Sequence, residues 1–233
     1  MTDPRPAPEG TTTERAATQR PAPCDVPATL GLILAGGRAQ RMGGGDKALI
    51  RIGERTILEH TLARFVPQCA CVAINANGDP ARFAATGLPV VADSVPGFAG
   101  PLAGILAGLD WAAELHTDIA WVASVPSDCP FLPRDLVARL HHARGDAGTP
   151  LACARSGRRA HHVIGLWPVA LREALRHALV DEGLRKVETW TARYGVAAAD
   201  WPDTPVDPFS NINTPEDAAE AARLARLYPV NDA

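Results

Sequence analysis

Hydrophobic positions fall into short unbroken runs, separated by longer segments in which they recur every three or four residues. Leu30-Gly31-Leu32-Ile33-Leu34 is the first run, and it passes into Ala35-Gly36-Gly37, as a buried parallel strand passes into a glycine loop. Thr56 then caps a predicted helix carrying Ile57, Leu58, Leu62, Phe65 and Val66 on one side, and Cys71-Val72-Ala73-Ile74 reads as the second strand. A short helix over residues 79–86 leads through Gly87 to a third strand, Pro89-Val90-Val91-Ala92, which stops at Asp93. Pro101 suits the first turn of a helix whose Leu102, Ile105, Leu106 and Leu109 keep helical spacing, and residues 119–123 form the fourth predicted strand.

Past Pro126-Ser127-Asp128-Cys129-Pro130 the pattern gives a helix over 134–143, strands near 151–154 and 163–166, and two helices after Pro168 and Gly183. In Asn211-Ile212-Asn213-Thr214-Pro215-Glu216-Asp217, Asn213 or Thr214 caps a last helix whose acidic residues sit at its positive end. Strand and helix alternating in this way predict an α/β fold: a doubly wound, mostly parallel sheet with helices on both faces. Ligands of such sheets bind at the carboxyl ends of the strands. Four predicted strand ends are polar or glycine-rich: Ala35-Gly36-Gly37, Asn75-Ala76-Asn77, Asp93-Ser94 and Ser127-Asp128.

Composition narrows the ligand. With 46% hydrophobic residues, 233 residues suffice for one core, and a net charge of -3 with scattered Lys and Arg lacks the basic stripe that nucleic acids require. A small-molecule ligand is expected. Residues 1–27 hold six prolines among Thr, Arg and Glu, so they read as a disordered tail before a single domain over 28–229. No run approaches the ~18 apolar residues of a membrane span, and the amino terminus lacks a signal peptide's apolar core. The five cysteines include no CxxC pair, which fits a reduced cytoplasm. Cys69-Ala-Cys71 lies against Val72-Ala73-Ile74 and reads as buried strand rather than metal site.

The most informative segment runs from Leu34 to Lys47, LAGGRAQRMGGGDK. Its five glycines let backbone N–H groups turn towards an anion, while Arg38, Arg41 and Lys47 bring positive charge to the same loop. It reads as a phosphate cradle, yet neither the GxxxxGK[ST] nor the GxGxxG spacing is present.

This segment resembles the LAGGxxxRMGxxDK signature of the molybdenum cofactor guanylyltransferases, within the Rossmann-like nucleotidyltransferases, and the likeness extends from about Leu32 to Asp217. The resemblance implies a Mg²⁺-dependent enzyme that joins GMP from GTP to molybdenum-bound molybdopterin and releases pyrophosphate. It places nucleotide contacts on Leu34, Ala35, Gly36, Lys47, Asn75, Asp93 and Asp128, and the metal ligand on Asp128. It also turns Arg41 towards the leaving phosphates and Asn211 and Asn213 towards the pterin. A molybdenum insertase and acceptor molybdoenzymes, or their chaperones, are the protein partners it implies.

From the residues alone, Asp128 and Asp93 also read as turn formers, and His161-His162 after Arg158-Arg159 as a solvated turn or a basic patch. A cytidylyltransferase on the same pterin, a sugar-phosphate nucleotidyltransferase and a nucleotide-binding regulatory protein are the alternatives. Gly37 in LAGG, where cytidylyl relatives tend to have LAAG, favours GTP.

Overall fold

A computed structural model of the chain describes residues 26–36, 47–95, 97 and 100–227. Seven strands form the central sheet in the order β5-β4-β1-β6-β8-β7-β9. These are β1 (Thr29–Leu34), β4 (Cys71–Asn75), β5 (Val90–Val91), β6 (Trp121–Pro126), β7 (Leu151–Ser156), β8 (Arg159–Pro168) and β9 (Val196–Trp201), while β2 (Arg51–Ile52) and β3 (Arg55–Thr56) pair as a separate hairpin. β1 pairs in parallel with both β4 and β6, β4 with β5, and β7 with β9. Only β8 runs against its neighbours β6 and β7, so the sheet is mostly parallel as its sequence pattern predicts.

Side chains alternate across the strands and feed two cores. Ile33, Ile74 and Val125 point to one face, where α1 (Ile57–Phe65) and α3 (Leu136–Ala147) cover them with Leu58, Phe65, Val137 and Leu140. Leu30, Leu32 and Val122 point to the other, against α2 (Pro101–Leu115), α4 (Arg172–Val180) and α5 (Val187–Thr191). Burying each such large side chain contributes about 1.5–3 kcal/mol. A third, smaller cluster of Ile52, Ile57, Ile212 and Ala221 docks the hairpin and α6 (Pro215–Leu227) beside α1.

Local chemistry explains where the helices start. Thr56 and Glu59 form a reciprocal capping box on α1, Asp79 accepts from Ala81 N at the short helix Pro80–Thr86, and Pro101 opens α2. Thr214 is the cap of α6, accepting the Asp217 amide, while the Asp217 carboxylate receives the amides of Asn213 and Thr214.

Several expected boundaries move. β6 begins two residues later than its apolar run and continues to Pro126, because its neighbour β1 pairs it through to Leu34. α3 starts at Leu136 and gains a turn, ending at Gly148 in the left-handed conformation. β8 begins at Arg159, so His161 and His162 lie in a strand and not in a turn before it. β9 and the hairpin are elements the hydrophobic pattern did not announce. Of Cys69-Ala-Cys71, expected as buried strand, only Cys71 lies in β4: Cys69 and the exposed Ala70 form the bend before it, both cysteines are half-buried, and the Cys69 thiol packs against Gly31, where burial pushes it up to about 12. The tail up to residue 25 lies outside the described residues, as do Gly37, Arg38 and Arg41 of the glycine loop.

Candidate active site at the carboxyl edge of the sheet

The parallel strands bring their carboxyl ends to one edge, and hydrogen bonds knit those ends together. Ala35 N donates to Asn75 O at 2.9 Å, joining β1 to β4, and Ser127 N donates to Leu34 O at 3.1 Å, joining β6 to β1. Leu34, Ala35 and Gly36 thus run between the ends of β4 and β6. Lys47 re-enters the described chain as the first residue of a short 3-10 helix, Lys47–Leu49.

On the β4 side, the polar residues hold one another. The Asn75 amide is buried and donates to Val91 O at 3.1 Å and to Asp93 Oδ1 at 3.0 Å. Asn77 donates to Asp93 Oδ2 at 2.8 Å and accepts the Asp93 amide at 2.9 Å. Both oxygens of Asp93 therefore receive N–H donors, and its half-buried carboxylate is fixed at the edge. Asn75 has spent both of its amide hydrogens inside the protein, which makes it the support of Asp93, while Asn77 is the exposed amide beside it.

On the β6 side, Asp128 is half-buried two residues past the strand. Asp128 O accepts the Ile212 amide at 3.1 Å, which draws the Asn211-Ile212-Asn213 turn to the same corner. The Cys129 thiol donates to Asn211 Oδ1 at 3.0 Å and approaches Phe209 O at 3.7 Å. Full burial raises the Cys129 thiol well above its ordinary value, and the carboxylates of Asp128 and Asp207 add to this, so it remains a neutral donor.

Leu34, Ala35, Gly36, Asn75, Asp93, Asp128, Asn211 and Asn213 therefore share one edge. The connections to Asp207 and Phe209 came from no local sequence signal. They depend on how β8 and the 202–213 segment return to that edge.

Among the described residues, no group of three or more His, Cys, Asp or Glu is placed to hold a metal ion. A divalent cation there would rely on Asp128 together with phosphate oxygens and water. That donor set suits Mg²⁺, which favours one or two carboxylates and substrate phosphates over a cage of protein ligands.

The model of the MobA-like NTP transferase domain matches residues 31–196. A molybdenum cofactor guanylyltransferase of Nitrobacter hamburgensis is 59% identical over 203 residues, covering 87% of this chain and 97% of the relative. The crystal structure of molybdopterin-guanine dinucleotide biosynthesis protein A from Archaeoglobus fulgidus superposes with a TM-score of 0.65 at 19% identity, covering 85% of this chain and 99% of that one. A Mycobacterium tuberculosis protein solved in complex with manganese gives a TM-score of 0.61, also at 19% identity and with coverage of 85% and 99%. The structural likenesses establish a nucleotidyltransferase fold, and the sequence matches place the chain among the molybdenum cofactor guanylyltransferases, enzymes of the MobA-like NTP transferase family.

Proposed function

We propose that this enzyme transfers GMP from GTP to molybdenum-bound molybdopterin, with residues 28–229 as one catalytic unit. The observation that carries the reading is the joined edge, where the ends of β4, β1 and β6 hold Asp93, the Leu34–Gly36 backbone and Asp128 side by side. The name shared by the close relatives supplies the pterin and the guanine nucleotide.

In this reading Asp93, fixed by Asn75 and Asn77, accepts from the adjacent N1–H and N2–H donors of the guanine edge, a donor pair that cytosine and adenine do not present. Leu34, Ala35 and Gly36 lie under the nucleotide, and Lys47 and Arg41 face its phosphates. Asp128 holds Mg²⁺, which when bound neutralises charge on the phosphates. An oxygen of the acceptor's terminal phosphate forms a bond to the α-phosphorus, and the bond from that phosphorus to the bridging oxygen breaks, so that pyrophosphate leaves with the electron pair. The attacking phosphate is already ionised at neutral pH, so the chain needs to supply alignment and charge and no general base.

Thermal stabilisation by a panel of nucleoside triphosphates, with and without Mg²⁺, tests the nucleotide. A ligand at 100 times its Kd adds about 2.7 kcal/mol, or a rise of roughly 5–11 °C at this chain length. GTP alone should produce that shift, and Mg²⁺ should enlarge it. A preference for CTP would keep the reaction class and replace the nucleotide, while no shift with any triphosphate would count against the reading.

A further inference from the structure

The first residues of β8 are not used by the reading above, although they end beside it. The antiparallel register that pairs Ser124 with Gly165 carries the preceding part of β8 past the end of β6, towards Asp128. Ser124 Oγ fastens this stretch by donating to Val163 O at 2.6 Å. Contacts complete the connection: the His161 ring lies 5.0 Å from that of Phe209, whose carbonyl is approached by the thiol of Cys129, next to Asp128. Arg159 stands two residues before His161 on β8, opposite Ser156, so the two side chains share a face of the strand.

The donors in this stretch are uncommitted. The exposed Arg159 guanidinium makes no hydrogen bond or ion pair among the described residues. His162 Nδ1 is buried and has no hydrogen-bond partner among them, a costly state that a bound acceptor oxygen would relieve. His161 is held from behind, its Nε2 lying 2.7 Å from the buried Ser156 hydroxyl. Asp207 is the carboxylate that faces the group, and it is partly engaged by accepting the Phe209 amide at 3.0 Å. A guanidinium and imidazole N–H groups along one stretch of strand suit a tetrahedral dianion.

We propose that Arg159 and His162, with His161 positioned by Ser156, receive the phosphomonoester of the acceptor substrate. This deepens the guanylyltransferase reading and rests on it for the identity of the acceptor. Asp128 would then lie between the two phosphate groups that must meet, with the nucleotide entering over β1 and the acceptor over β8.

The test uses the full chain and two readouts. The imidazole signals of His161 and His162 are followed by NMR during titration with inorganic phosphate, in the wild type and in Arg159→Ala. Separately, pyrophosphate release is measured against acceptor concentration at saturating GTP. The expected result is a saturable imidazole response that is lost in Arg159→Ala, together with a rise of about tenfold in the acceptor KM and an unchanged GTP Kd. Imidazoles silent to phosphate would overturn the proposal, and so would an Arg159→Ala enzyme with normal acceptor KM. If GTP affinity fell in place of acceptor affinity, the cluster would belong to the triphosphate and the proposal would be wrong. Should the wild type release no pyrophosphate from GTP while its imidazoles still respond through Arg159, the anion site stands and the guanylyl reading falls.

Discussion

The central strand β1 has a polar network at each end, and the two networks differ in what they leave over. At the amino end Thr29 Oγ1 donates to Pro27 O at 2.7 Å, so the His141 Nε2 lying 2.8 Å from it must be the donor of that contact. His141 Nδ1 then accepts from Arg144 Nε at 3.3 Å, and the Arg144 guanidinium lies 3.9 Å over the Trp121 ring. Both ring nitrogens of His141 are thereby used up. At the carboxyl end, polar groups from several strands also bind one another, yet Asp93, Asp128, Asn77 and Asn211 keep faces open to solvent. A saturated network holds the fold together, and an unsaturated one on the same strand can hold a ligand. If that distinction is correct, changes at the carboxyl edge should cost activity and spare stability, and changes at the amino edge should do the opposite.

Asp128→Ala should separate the two ends most sharply. Loss of a group that stabilises transition-state charge lowers turnover by roughly 10²–10³-fold. The melting temperature should stay within about 3 °C, because the carboxylate is only half-buried and lies past the end of β6, outside the hydrophobic clusters. Pyrophosphate release and a thermal scan on the same preparation measure both. Near-normal turnover would remove Asp128 from the machinery, while a collapsed Tm would make it a structural residue like those at the other end.

His141 gives the converse case. Burial is the main cause of its lowered pKa, with Arg144 and His142 adding like charge, and the folded value is about 4 against 6.5 when unfolded. The fold therefore prefers the neutral ring, and the unfolded chain binds the extra proton between those values. This contribution is complete above pH 6.5, declines as the pH falls towards 4, and amounts to about 3 kcal/mol at most. Urea unfolding at pH 7 and pH 4.5 should show a smaller drop for His141→Gln than for wild type, with GTP affinity at pH 7 unaffected. An identical drop in both would mean that the amino-end network contributes no acid sensitivity.

Not all of this was equally legible in the sequence. β1, α1, β4 and α2 were readable because apolar runs, caps and a proline in the first turn all point the same way. β9 is Val-Ala-Ala-Ala-Asp-Trp, whose alanines favour no strand, and it exists because β7 offers it an edge for parallel pairing. The hairpin rests on strands of two residues each, too short to show a period, around Gly53 at φ 69°. The start of β8 is polar since it overhangs the sheet's edge, and a polar strand reads as a turn. At the site, the sequence named the strand ends that converge but could not tell which side chains face the ligand. The amide of Asn75 turning inward to Val91 and Asp93 is a tertiary fact, set by where β5 lies.

Gly104 and Gly108 of α2 offer the finest test, since one substitution can be made one turn apart. A Cβ at Gly104 would collide with Asn75 Oδ1 and lie 2.8 Å from Leu34 Cδ2, whereas one at Gly108 would meet the methyl end of Leu32 at 2.6 Å. In a helix interior, alanine is favoured over glycine by about 0.8–1 kcal/mol, and overpacking costs roughly 1–3 kcal/mol. Leu32 can yield by a small rotamer change, so Gly108→Ala should come out near neutral in stability and unchanged in GTP affinity. Asn75 cannot yield without releasing Asp93 or Val91, because both of its N–H groups are fixed. Gly104→Ala should therefore lower stability by about 1–2 kcal/mol and weaken GTP roughly tenfold. Calorimetric titration with GTP and a urea series on both variants decide the matter. Equal affinity losses would show that α2 is sensitive along its whole length. A Gly104→Ala protein that is less stable but binds GTP normally would show that Asn75 does not position Asp93 for the nucleotide, leaving the carboxyl-edge network as structural as the one at the other end of β1.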